Sequence, residues 1–266
     1  MTADQIWKLL LAIREQQPLI HNITNFVVMN SSANALLALG ASPAMVHSSD
    51  EVEDFVALSQ ALVVNTGTLY SEQIAASKLA AIKAKAAGVP WVFDPVGAGA
   101  TPYRRAAAVA LARLGPSVIR GNGSEILTLA QQARVGRGRG VDSLHGSGAA
   151  LDAARKLADD SGAVIAVTGA VDYVTDGSQV VEIHNGHPLM TRVTGLGCSA
   201  TAVTGAFLAV EPDALAATVA ALAVFGVAGE LAAEQARGPG SLQVELLDVL
   251  YTLNEATLTA RARVTG

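Results

Sequence analysis

A single cysteine, 4% aromatic residues and 15% charged residues describe this 266-residue chain by what it has little of. One cysteine excludes an internal disulfide framework and a cysteine-based metal cluster. It fits a reducing, cytoplasmic compartment. The scarcity of aromatics removes the stacking platform of a single-strand binder. With a formal net charge of -5 and a pI near 5.5, no nucleic acid is expected as partner. Neither a Walker A loop nor a GxGxxG turn after the first strand is present. The N-terminal stretch carries Asp4, Lys8, Arg14 and Glu15 at helical spacing, without a secretory signal's basic start and small-residue cleavage site. No repeat or low-complexity linker marks a boundary, so one domain over 1–266 is expected.

Apolar residues make up 51% of the chain. Two stretches without charge, 193–210 and 214–229, read as buried helices rather than membrane spans, since both are rich in Ala, Gly and Thr. Elsewhere short apolar runs alternate with helical segments. Helices are predicted over 3–16, 26–39 with Gly40 as C-cap, and 71–87 ending at Gly88. Ser48 and Glu51 have capping-box spacing for a helix through Gln60. Thr101-Pro102 is an N-cap followed by proline at the first helical position. Strands are predicted at 43–46, 61–65, 90–94, 117–120 and 163–168, and 171–175 with 179–184 flank the Asp176-Gly177 hairpin turn. The rest is mostly helix, with one break at Gly238-Pro239-Gly240. Alternation of this kind means an α/β fold, a mostly parallel sheet covered on both faces, with an antiparallel edge from the hairpin.

In such sheets ligands bind beyond the carboxyl ends of the strands. The residues there are Asn65-Thr66-Gly67, Asp94-Pro95-Val96-Gly97-Ala98-Gly99, Arg120-Gly121-Asn122-Gly123-Ser124-Glu125 and Thr168-Gly169. Each run delivers polar residues and glycine to one rim. Asp94 and Glu125 offer the hard oxygens that suit Mg²⁺ completed by water and nucleotide phosphates. Arg120 and the Thr168 hydroxyl suit phosphate oxygens. Either acid alone could instead brace a loop or counter a helix dipole. The lone cysteine lies in Thr194-Gly195-Leu196-Gly197-Cys198, just ahead of an apolar helical stretch. A glycine-rich turn entering a helix gathers free N–H groups and the positive end of the dipole, which makes the Gly197 turn an anion site. That field is expected to lower the thiol pKa of Cys198. The plain alternative is a small buried hydrophobe.

Longer motifs carry a resemblance. They are PLIHNITNFVVM at 18–29, ANALLALGASPAM at 33–45, DPVGAG at 94–99, Arg120-Gly121-Asn122 through Glu125, Gly140-Val141-Asp142-Ser143, 167–177 and 194–198. Together they resemble the hydroxyethylthiazole kinases, ribokinase-like enzymes of thiamine salvage with a three-layer α/β/α sandwich. The resemblance implies transfer of the ATP γ-phosphoryl group to 4-methyl-5-(2-hydroxyethyl)thiazole. By similarity, Arg120 and Thr168 contact ATP, and Asp94 with Glu125 organise Mg²⁺. Met45 and Gly195 touch the thiazole alcohol, with Asn25 and Val27 near it. Homotrimers with sites at subunit interfaces are implied as well. Ribokinase-like kinases carry an aspartate base where Cys198 stands. The resemblance therefore implies that Cys198 aligns the hydroxyl and helps remove its proton. His21 reads as a hydrogen-bonded structural residue. Leu196 departs from the family's usual threonine and loses a hydroxyl that would touch phosphate. Arg137 and Arg139 read as a solvated basic loop.

Overall fold

The computed structural model describes residues 1–135 and 147–266, so the basic loop at Arg137 and Arg139 and the motif at 140–143 lie outside the described residues. The chain opens with α1 (Ala3–Gln16), capped by Thr2 and Gln5 in a reciprocal box, then β1 (Leu19–Ile23) and α2 (Met29–Leu39). Gly40, at φ 110°, ends α2 in the left-handed region, where glycine has no Cβ penalty. β2 (Ser42–Ala44), α3 (Val52–Leu58), β3 (Ala61–Asn65), α4 (Ser71–Ala87) and β4 (Trp91–Asp94) follow. Thr101 caps α5 (Pro102–Ala112), accepting from the Arg104 N–H at 3.2 Å. Then come β5 (Val118–Asn122), α6 (Gly123–Val135), α7 (Ser147–Ser161), β6 (Val164–Thr168), β7 (Asp172–Thr175) and β8 (Val180–Ile183). A 3₁₀ turn (Pro188–Arg192) leads to α8 (Leu196–Leu208), α9 (Ala214–Gln235), α10 (Pro239–Thr252), α11 (Glu255–Arg261) and β9 (Val264–Thr265).

Among the described residues these strands form one sheet in the order β2-β1-β3-β4-β5-β6-β7-β8-β9. The first six positions are parallel; β7, β8 and β9 add on antiparallel. One face is covered by α1, α2, α8, α9, α10 and α11, through Leu10, Leu36, Phe207, Leu222, Leu246 and Leu258. The other is covered by α3 to α7, through Val56, Ala80, Leu111, Ile126 and Leu157. This is the three-layer α/β/α sandwich that the alternation pattern and the resemblance imply. Both charge-free stretches are helices of the first layer. By length and composition α9 could cross a bilayer, but 72% of its most apolar window is buried in the fold.

Several boundaries differ from the sequence expectation. The helix predicted from 26 begins at Met29, because 26–28 form a turn closed by the Val28 N–H donating to the Asn25 carbonyl. The Ser48–Glu51 capping box does not form: the Ser48 hydroxyl oxygen accepts from the Asp50 N–H, and α3 starts only at Val52 and ends at Leu58. The strand at 43–46 is β2, which stops at Ala44 and leaves Met45 beyond it. The sequence pattern signals neither β1 and β9 nor the break at 253–254 between α10 and α11.

Helix α8 sits against the middle of the sheet because Gly205 lets it approach. A Cβ there would lie 2.6 Å from Val63 Cγ2 and 3.4 Å from Ile20 Cγ2. This close packing fixes the height of the α8 N-terminus relative to the strand ends.

Candidate active site

The strand-end residues converge as the sequence pattern requires. Asn65 ends β3, Asp94 ends β4, Arg120 lies within β5 and Thr168 ends β6. Parallel pairing sets Asn65 beside Asp94, and Asn122 beside Thr168. The α8 N-terminus faces them. Its N-cap Gly195 has φ 82°, and a Cβ there would lie 2.4 Å from Val28 Cγ1. A Cβ at Gly197 would lie 3.0 Å from Arg120 Nη1. Glycine at these positions lets the helix end press on α2 and on the Arg120 guanidinium.

A hydrogen-bonded chain links Cys198 to Asp94, and backbone groups fix its direction. The Val27 N–H donates to Asn25 Oδ1 at 3.1 Å, so the Asn25 amide nitrogen points the other way. It donates to Asn65 Oδ1 at 2.7 Å and to Cys198 Sγ at 3.5 Å. The Gly67 N–H also donates to Asn65 Oδ1, at 2.9 Å. Asn65 Nδ2 therefore faces Asp94 Oδ2, at 2.7 Å. An amide oxygen accepts and an amide nitrogen donates, so each orientation forces the next. Thr201, one turn along α8 from Gly197, donates its hydroxyl to Asp94 Oδ2 at 2.8 Å. Arg120 Nη1 stands 4.0 Å from the same oxygen.

Asp94 is 1% exposed. Burial pushes its carboxyl up to about 6, against the Arg120 charge and the Thr201 and Asn65 hydrogen bonds, which favour the ionised form. The Glu125 charge raises it further. Burial also pushes the Cys198 thiol up to about 11, and the neighbouring Asp94 carboxylate adds to this. The amides of Asn65 and Asn25 and the Arg120 charge oppose the rise. The expectation that the helix terminus lowers this pKa is thus overturned. Desolvation and a like charge set the direction of the shift.

Glu125 is nearly buried and braces two loops. Its Oε1 accepts from the Gly97 N–H and its Oε2 from the Asn122 N–H, both at 2.8 Å. Thr168 donates its hydroxyl to the Gly121 carbonyl at 3.3 Å. Arg120 and Thr168 line a groove of about 580 Å³ together with Gly197, Leu196, Leu222 and Phe225. The side chain of Leu196 is largely buried and lines the groove with apolar surface, the departure from the resembled family's usual threonine noted in the sequence. Among the described residues no group of three or more His, Cys, Asp or Glu side chains could hold a metal ion alone. The two carboxylates, Asp94 and Glu125, nonetheless fit a hard divalent cation shared with water and phosphate oxygens. They repel one another in a buried setting, which such a cation would relieve.

Not every expected residue joins this cluster. Met45 stands beyond the edge strand β2, with β1 and β3 between it and β4. The Val27 side chain is 61% exposed, and only its backbone takes part. His21 is fully buried beneath, Nε2 2.9 Å from the Val46 carbonyl, its pKa lowered to about 4 by burial. That is the structural role expected of it. Sequence reasoning gave no role to Thr201 or Arg104. Arg104 donates to the carbonyls of Thr66, Gly67 and Val96 and so ties the loops after β3 and β4 together. Its place in the first turn of α5, just after the glycine-rich loop, was the available signal.

Residues 10–256 match the model of the hydroxyethylthiazole kinase family. The chain belongs to the hydroxyethylthiazole kinase family. It is 57% identical to a hydroxyethylthiazole kinase of Granulibacter bethesdensis over 96% of this chain and 92% of that one. It is 50% identical to the maize (Zea mays) hydroxyethylthiazole kinase over 97% and 92%. Its fold superposes on the hydroxyethylthiazole kinase structure from Pyrococcus horikoshii with a TM-score of 0.92, at 44% identity over 98% of both chains. The pyridoxal kinase of Staphylococcus aureus, solved with AMP-PCP and pyridoxal, shares the fold at a TM-score of 0.62 and 17% identity, covering 80% of this chain and 88% of that one. For this member of the hydroxyethylthiazole kinase family, the environment of Cys198 sets a measurable property. Alkylation of the single thiol at pH 8 is expected to run roughly a hundredfold slower than that of a free thiol. Asp94→Asn should accelerate it. A wild-type rate above that of a free thiol would contradict the assignment.

Proposed function

We propose that the chain transfers the γ-phosphoryl group of ATP to the hydroxyl of 4-methyl-5-(2-hydroxyethyl)thiazole, giving the thiazole phosphate for thiamine salvage and ADP. One observation carries this reading: a groove holding Arg120 and Thr168 meets a polar cluster holding Cys198, Asn25 and Asp94 at the glycine-rich N-terminus of α8. A phosphate grip and a place for a small alcohol thus share one helix end.

In this reading ATP lies in the groove with Arg120 and the Thr168 hydroxyl on its phosphates, and with Leu222 and Phe225 as apolar wall. The N–H groups at Gly197 and Cys198 face the moving phosphoryl group. Asp94 and Glu125 would hold Mg²⁺, which when bound neutralises phosphate charge. The thiazole alcohol sits at Cys198 and Asn25, with Gly195 giving the close approach. A thiol with a pKa of about 11 is protonated at neutral pH. Cys198 therefore aligns the hydroxyl rather than acting as a strong base. Phosphoryl transfer through a loose transition state depends mainly on positioning and charge stabilisation, which makes this sufficient.

The chain assembles as a homotrimer in this proposal. Phe26, stacked on Tyr70 at 5.6 Å, and Val27 are both about 60% exposed, directly beside Asn25. Exposed apolar side chains grouped next to a site suit an interface. Met45, remote from Asp94 within one chain, then contributes to a site completed by a neighbouring subunit. A cytoplasmic location accords with the single unpaired thiol.

The reading is tested by ADP release against a panel of small alcohols, with and without Mg²⁺. Turnover is expected with the thiazole alcohol and only with Mg²⁺; faster turnover of a hydroxymethylpyrimidine, or none of any alcohol, would overturn it. Cys198→Ala should lower kcat by less than the 10²–10⁴-fold that loss of a general base costs, roughly, and Cys198→Asp should remain active. Sedimentation at micromolar concentration should give three times the chain mass of 27.1 kDa. A monomer would remove the interface part of the proposal.

A further inference from the structure

Part of the lining of the groove that holds Arg120 comes from the segment joining β8 to the 3₁₀ turn, including Asn185, Gly186 and His187. An irregular loop of this kind keeps one shape only if its backbone and side-chain groups have fixed partners. Here the partners come from far away in the chain. Glu230, in α9, accepts the Gly186 N–H on Oε1 at 2.9 Å, and both its oxygens accept from Asn185 Nδ2 at 3.2 Å. Asn185 Nδ2 also donates to the Arg261 carbonyl at 2.9 Å, and Asn185 Oδ1 accepts the Arg263 N–H at 2.7 Å. The Arg263 guanidinium donates to Glu230 Oε1 and to the His184 carbonyl. The His184 N–H donates to the Arg263 carbonyl at 2.9 Å.

The face of α9 under this loop is shaped to receive it. Gly226, Gly229 and Glu230 lie at i, i+3 and i+4, on one side of the helix. A Cβ at Gly226 would lie 2.7 Å from Asn185 Cβ, and one at Gly229 would lie 2.2 Å from Met190 Sδ. Gly186 itself has φ 133°. Arg261 and Arg263 follow the last residue, 256, that the family model matches. The end of the chain thus braces a loop of the groove from its far side.

We propose that Glu230 and Arg263 are positioning residues for nucleotide binding: they lock the 184–187 loop from behind so that Asn185 and Gly186 form a fixed wall of the groove. The inference rests on the reading that this groove takes ATP. Neither side chain is among the groove-lining residues, so both act through the loop. Removing the Glu230 carboxylate leaves the Gly186 N–H without its acceptor and the Asn185 amide with the Arg261 carbonyl alone, and the loop must rearrange to satisfy the freed donor. Binding of nucleotide then has to reorder it. The acceptor alcohol, held at Cys198 and Asn25, makes no use of this loop.

The test is ADP affinity by calorimetry, with KM values for ATP and for the thiazole alcohol measured separately. Glu230→Ala is expected to weaken ADP binding and raise the ATP KM by about tenfold, with the thiazole KM changed less than about twofold. Arg263→Ala, whose side chain is half exposed, should give about a threefold effect in the same direction, and Arg263→Lys should recover part of it. The Arg263 pair keeps the test open should Glu230→Ala fail to fold. A merely structural role would lower Tm and leave the two KM values in their wild-type ratio. Thr168→Ala, inside the groove, serves as the comparison. If it weakens ADP binding and the Arg263 variants do not, the inference fails while the ATP reading stands. If Thr168→Ala also leaves ADP affinity unchanged, the groove is not the nucleotide site and both fail.

Discussion

Burying a carboxylate at the end of a central parallel strand costs free energy unless its charge is matched, and Asp94 is matched only in part. It receives two hydrogen bonds, on one oxygen, from Asn65 and Thr201, and a cation 4.0 Å away on Arg120. Its pKa of about 6 records the remaining deficit. The surrounding architecture follows from holding that group in place. β3 must end in an amide that donates, α8 must bring a hydroxyl within reach, and β5 must carry a guanidinium. A group whose folded pKa exceeds the unfolded 3.8 binds more protons in the folded state between those values. Stability is therefore lost as pH rises from about 4 to about 6, and the loss is complete at neutral pH. A fold that keeps such a residue gives up stability, the exchange expected at functional sites.

Helix α8 connects this charge to the rest of the molecule. Gly205 sets its distance from β1 and β3, Gly195 its distance from α2, and Gly197 its distance from Arg120. The same closeness buries Cys198 and brings Asp94 near it, which is why the thiol rises to about 11 at a helix start that would otherwise lower it. Exclusion of water and proximity to a carboxylate raise it against the Asn65 and Asn25 amides and the Arg120 charge. Packing and reactivity are thus two readings of one constraint.

The parallel sheet was legible because its strands β3 to β6 are short apolar runs ending in a polar residue and glycine. That signature also exposed Asp94, Arg120 and Thr168. β1 escaped notice because it carries His21 and Asn22, both buried, inside a strand of five residues. Polar residues there break the apolar run by which a buried strand is recognised. β9 is two residues long and gives no periodic signal. Cys198 was singled out, but the sign of its pKa shift was not legible, since burial and the Asp94 charge arise from packing between distant segments. The Asn25–Asn65–Asp94 chain spans 69 positions with no spacing rule to suggest it. The Ser48–Glu51 pair shows the opposite failure, a capping pattern overruled by a turn at Ser48.

Asp94 is a buried carboxylate whose charge its neighbours compensate only in part. That partial compensation is tested most directly by carboxyl ¹³C NMR titration of Asp94, in the free protein and with Mg²⁺ and ADP. A midpoint near pH 6 in the free protein, moving down in the complex, is the predicted result. A midpoint at the ordinary aspartate value in the free protein, unmoved by Mg²⁺ and ADP, would contradict it.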